Sequence, residues 1–129
     1  MSKFTGPLRL EHLDADWKRW KLLEPLVWEI DTLGSGKEIV VEAGFIFDGA
    51  TTPRLIWAVL PPTGAYMRAA GLHDRCLEWL KAGTPNPYAP TRRKADRQFL
   101  LAMKACGVSF LVRWAMYLGV RAYAIWRGR

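Results

Sequence analysis

Two short segments hold the side chains best suited to moving protons. In Leu72-His73-Asp74-Arg75-Cys76 an imidazole and a carboxylate are adjacent, and in Ala95-Asp96-Arg97-Gln98-Phe99 a second carboxylate follows 22 residues after Asp74. A carboxylate that accepts from one ring N–H fixes the histidine tautomer and leaves the other nitrogen free as a base. His73 and Asp96 are the candidate catalytic pair. Asp74 projects about 100° further round a helix than His73. It would look elsewhere and could ligate a hard cation such as calcium, which takes carboxylates together with loop carbonyl oxygens. The same residues admit a plainer reading, with His73 and Asp96 a buried pair locking two helices and Asp74 an exposed acid near Arg75 or Arg68.

A third segment offers the oxygens such a cation would still need. Ala43-Gly44-Phe45-Ile46-Phe47-Asp48-Gly49-Ala50-Thr51-Thr52-Pro53 reads as a loop. Gly49 permits unusual backbone angles, and Asp48, Thr51 and Thr52 carry side-chain oxygens. Pro53, followed by Arg54, suits the first position of a short helix through Leu60 with Thr52 as its N-cap.

Two kinds of element must hold these groups. Up to the loop, partial alternation at Trp17–Leu22, the apolar run Pro25–Ile30 and the β-branched run Lys37–Glu42 predict antiparallel strands, the last two joined by a glycine turn as a hairpin or meander. After Pro61-Pro62-Thr63-Gly64 the apolar period lengthens. Helices are predicted from about Ala65 to Ala82, from a Thr91 cap to Lys104, and from Ser109 to about Trp126. If the first two pack antiparallel through the proline-rich connection 83–90, His73 and Asp96 can face each other. The expectation is an α+β protein: an N-terminal antiparallel β meander followed by a C-terminal three-helix region, one domain over 1–129, mainly β to about 52 and mainly α from about 53.

Composition narrows the partners. The chain has 129 residues, half of them hydrophobic, and seven tryptophans. That is enough for one real core and rules out a disordered chain. The net charge is +7, and it is placed unevenly: residues 1–91 sum to −1 and residues 92–129 to +8, with Asp96 the only acid in the latter stretch. A one-sided field of this kind attracts anionic lipid, nucleic acid or an acidic partner, or simply solvates one face. No helix-turn-helix spacing, zinc finger or aromatic RNA-binding motif supports nucleic acid beyond that charge. Cys76 and Cys106 are too few for a disulfide scaffold and read as small core residues. A zinc site from both cysteines, His73 and Asp96 matches no familiar spacing. Met1–Pro7 lacks the apolar run of a signal peptide and no charge-free stretch is long enough to span a bilayer, so synthesis in the cytoplasm is expected.

Several blocks resemble a known pattern in the right order: Gly44 to Arg54, Trp57, Gly64-Ala65-Tyr66, Ala69-Ala70, His73-Asp74, Arg93-Lys94-Ala95-Asp96-Arg97-Gln98-Phe99, Tyr117 and Val120-Arg121. Together they resemble the phage and prophage family known as domain of unknown function 1353, over roughly residues 17–126. The resemblance implies a phage or prophage origin, synthesis in a host cell, and phage structural or host proteins as partners. It brings no settled activity. Asp48, Gly49, Thr51, Pro53 and Arg54 form its loop motif.

The adjacent His73-Asp74 with a later Asp96 is also similar to the calcium-dependent phospholipases of the A-two type. That likeness implies His73 as the base activating water, Asp96 as its orienting carboxylate, and Asp74 as calcium ligand. It would suit a basic, aromatic last helix docking on anionic lipid. The sequence departs from that pattern at the loop, which lacks several glycines, and at Leu77, where those enzymes place an aromatic. Two classes of function therefore stand: a metal-assisted hydrolase of a lipid or cell-envelope bond, and a non-enzymatic minor virion, tail-region or host-interaction protein in which Asp48, Thr51 and Arg54 brace the strand-to-helix junction.

Overall fold

The computed structural model describes residues 3–5, 10–12, 20–30, 36–47 and 66–126. Among the described residues six strands precede three helices: β1 Lys3–Thr5, β2 Leu10–His12, β3 Trp20–Leu22, β4 Leu26–Glu29, β5 Glu38–Val41, β6 Ile46–Phe47, then α1 Tyr66–Lys81, α2 Arg92–Ala105 and α3 Phe110–Trp126. The protein is α+β, with antiparallel strands first and helices after them.

The strands divide into two three-stranded sheets, ordered β1-β4-β5 and β2-β3-β6. Only β4–β5 is the expected hairpin. Its register sets Leu26 opposite Val41 and Trp28 opposite Ile39, and all four are buried while their neighbours are not. Period-2 alternation puts that set on one face. The segment expected to be loop from residue 43 is strand at Ile46–Phe47, where Trp20 pairs with Phe47 and Lys21 with Ile46. The short strand alternates in burial: Phe45 and Phe47 are buried and Ile46 between them is 41% exposed. Gly44, at φ 90°, makes the turn before it, and its N–H donates to the Leu22 carbonyl at 2.7 Å.

The helices fall close to where the pattern placed them. Thr91 caps α2, its hydroxyl accepting from the Lys94 N–H at 3.2 Å. Gly83 and Gly107, at φ 77° and 82°, end α1 and α2; the Thr84 N–H donates to the Trp79 carbonyl and the Val108 N–H to that of Met103. Helix α1 packs on β4, β5 and β6, and α2 packs between α1 and α3 and also touches β1. Gly71 makes one approach possible, since a Cβ there would lie 3.3 Å from two ring carbons of Phe47. The indole of Trp28, itself fully buried, donates to Gln98 Oε1 at 2.8 Å and ties β4 to α2. The loop motif Asp48, Gly49, Thr51, Pro53 and Arg54 and the short helix expected at 53–60 lie outside the described residues.

Candidate functional site

Helices α1 and α2 run antiparallel. The N-terminal part of α1 lies beside the end of α2, where Cys106 lies near the Ala69 backbone, and its last turn lies beside the start of α2 at Thr91, Arg92 and Arg93. That arrangement brings His73 and Asp96 together as expected. His73 Nε2–H donates to Asp96 Oδ1 at 2.7 Å, and both side chains are fully buried. The imidazole stacks on Phe99, three residues after Asp96, with ring centroids 4.3 Å apart and planes 14° from parallel.

Two arginines complete the arrangement. Arg92 Nε donates to Asp96 Oδ1 at 2.9 Å across one turn of α2. Arg121 Nη1, from α3, donates to Asp96 Oδ2 at 2.9 Å. Their side chains are 10% and 15% exposed. One carboxylate thus joins three helices. The sequence reading missed both partners as site residues, although the Arg92/Asp96 spacing of four was a legible helix pairing. Arg121 had no such local signal.

Burial has the larger say in the protonation of His73. It lowers the pKa below the ordinary 6.5, outweighing the attraction of Asp96, so the ring is neutral near pH 7 and keeps its hydrogen on Nε2. For Asp96 burial pulls upward, but the hydrogen bond from His73 and the neighbouring positive charge override it and the pKa is lowered. The carboxylate stays ionised. The second ring nitrogen, His73 Nδ1, is buried and has no hydrogen-bond partner among the described residues. An unpaired buried polar atom costs on the order of 1–3 kcal/mol.

The other candidates stand differently. Asp74 is partly buried and engaged in interactions of its own. The expected neighbour Arg75 is held by Glu42, Nη2 to Oε1 at 2.6 Å, and lies over the Trp79 ring at 4.8 Å. Among the described residues no three His, Cys, Asp or Glu side chains converge as metal ligands, and the loop residues 48–52 that were to complete a calcium site with Asp74 lie outside the described residues. The zinc grouping, whose four residues are all described, fails for want of that convergence. Burial also pushes the Cys76 thiol up to about 12 and the Cys106 thiol up to about 11, which keeps both protonated near neutral pH.

A cleft of about 500 Å³ opens between the end of α1 and the start of α2, lined by Leu77, Leu80, Lys81, Thr91, Arg92 and Arg93. Neither His73 nor Asp96 lines it. Leu77 is one helical turn from His73, and Arg92 is bonded to Asp96.

The fold and this centre define an α+β protein whose three helices converge on one buried, doubly charge-compensated aspartate. Residues 20–120 match a family model described as "Protein of unknown function (DUF1353)", and the chain belongs to that family. No curated protein and no solved structure matches it. No helix among the described residues is long and apolar enough to cross a membrane.

Proposed function

We propose that this is a phage- or prophage-encoded accessory protein with a hydrolytic centre at His73, acting on an ester of a lipid or another cell-envelope substrate. The observation that carries the reading is the imidazole itself. It is neutral, fixed by Asp96 through Nε2, and left with an Nδ1 lone pair that no described residue pairs. A buried ring nitrogen without a partner calls for an explanation, and a catalytic base is one. In the reaction Nδ1 takes a proton from water as the water oxygen attacks the ester carbonyl, and Asp96 steadies the imidazolium that forms. The imidazolium then returns the proton to the leaving alkoxide as the tetrahedral intermediate collapses. The cations of the adjoining cleft supply an anchor for an anionic substrate group, and its two leucines an apolar wall. The phage setting comes with the motif resemblance set out from the sequence.

A second reading has its own observation. Asp96 meets both arginines as well as His73, and the ring is fully buried, which suits a structural clasp in a non-enzymatic virion or host-interaction protein. Two positive neighbours also oppose a third charge on His73.

Ester release from phospholipid vesicles and from a short-chain ester, by wild type and His73→Gln, separates the two. The hydrolase reading expects a rate lower by about 10²–10⁴ in a variant that still folds. Absence of turnover in the wild type, or equal rates in both, leaves the clasp.

A further inference from the structure

Helix α3 has two faces of unlike fate. Met116, Val120 and Ala124 are buried against the rest of the molecule, whereas Leu111, Trp114, Leu118, Ile125 and Trp126 are 79, 38, 60, 65 and 77% exposed. At 100° per residue those five, with Ala115 and Ala122 between them, fall within roughly 120° of helix surface. No charged residue lies in that arc. Phe110, at 63% exposure, extends it at the N-terminal end, and Arg121, at its edge, is turned inward to Asp96. A continuous exposed apolar face of this size is unusual for a surface that meets only water.

The charge around it says what it meets. Residues 92–126 carry seven Lys and Arg and one acid, Asp96, and that acid is 0% exposed. Among the described residues the α2–α3 surface therefore exposes cations and no anion, with Arg93, Lys94, Arg97 and Lys104 all exposed. A second copy would set one net charge of +7 against another. Nucleic acid would satisfy the cations and leave the apolar face in water. At 17 residues α3 is about 25 Å long, short of a hydrocarbon core of about 30 Å, and Arg113 and Arg121 interrupt it. It can lie on a bilayer but not cross one. Trp114 and Trp126 are the residue type that settles at such a boundary.

We propose that the outer face of α3 is the surface by which this protein lies on an anionic phospholipid bilayer, its axis parallel to the membrane plane and the exposed cations of α2 meeting the headgroups. This holds whether or not His73 does chemistry.

Flotation with vesicles tests it without any turnover. The full chain is mixed with phosphatidylcholine vesicles, or with vesicles in which one lipid in four is phosphatidylglycerol. The protein should rise with the anionic vesicles at low salt, with a blue shift of tryptophan emission, and stay behind with phosphatidylcholine alone. Leu111→Glu/Leu118→Glu, at two exposed positions, should cut partition by about a hundredfold, roughly tenfold for each leucine. High salt should weaken binding, since each cation near an anionic surface favours it roughly fivefold. Circular dichroism checks the variant's fold, and Leu118→Gln substitutes for it if folding suffers. No flotation of wild type at low salt, or equal flotation of a folded variant, overturns the proposal. So does a wild-type dimer in light scattering that Leu118→Gln converts to monomer, which would assign the face to a second copy.

Discussion

Asp96→Asn keeps the shape of the central side chain and removes its charge. All three groups around it, His73 Nε2–H, Arg92 Nε and Arg121 Nη1, are donors at 2.7–2.9 Å. Whichever way an asparagine amide turns, its NH2 meets another donor, and only one oxygen remains for three partners. The two largely buried arginines both lose the ionised carboxylate they share. Removing one partner of a buried ionic group costs about 3–5 kcal/mol. A chain of 129 residues has a stability of roughly 6–19 kcal/mol, so the loss is a large part of the total. At roughly 3–5 °C per kcal/mol for a domain of this size, Tm should fall by about 10–20 °C. Urea and thermal unfolding followed by circular dichroism at neutral pH measure it. A loss below about 1 kcal/mol would refute the reasoning, because it would mean that the arginines do not depend on the carboxylate.

Three further outcomes are expected. Because burial lowers the His73 pKa, the unfolded chain binds the proton more readily below 6.5. The stabilisation is therefore complete above that pH and is lost as pH falls toward the folded-state pKa; Tm should drop between pH 7 and about pH 5, and His73→Gln should flatten that part of the curve. Asp96 adds a second loss below its ordinary 3.8, so a wild-type Tm that is level from pH 7 to the Asp range would contradict the His73 assignment. Gly119 has open space where a Cβ would go, while a Cβ on Gly71 meets Phe47 at 3.3 Å; Gly119→Ala should stabilise by about 0.5–1 kcal/mol and Gly71→Ala should not, because the overpacking of about 1–3 kcal/mol cancels or exceeds the helix gain. Thr91→Ala should cost about 1 kcal/mol through the lost cap, read from the urea midpoint.

The helices were legible because their signals are local. Thr91 and Gly107 punctuate α2, and apolar residues recur every third or fourth position in α1. The His73/Asp96 contact followed from two helices and a short connection. The Arg121 contact did not, because it depends on how α3 rotates against α2, and the sequence there reads only as an arginine among apolar residues. The same rotation decides that Leu118 faces outward while Val120 faces in. The strand at Ile46–Phe47 within the expected loop was not legible because two residues show too few alternations for a period to be counted. The pairing of β1 with β4 has no local signal at all, since it joins residues Lys3 and Glu29 across two intervening strands.

The position of Arg121 also sets a clock on synthesis. Asp96 leaves the ribosome 25 residues before the arginine that pairs with its second oxygen, an interval of about 1–5 s at ordinary elongation rates. During that time the carboxylate can meet Arg92 and His73 but not the partner on α3, and burying it is still unfavourable. The first two helices of a nascent chain should therefore stay loosely associated until α3 arrives. A released chain truncated before Arg121 is expected to be more protease-sensitive in α1 and α2 than the full chain.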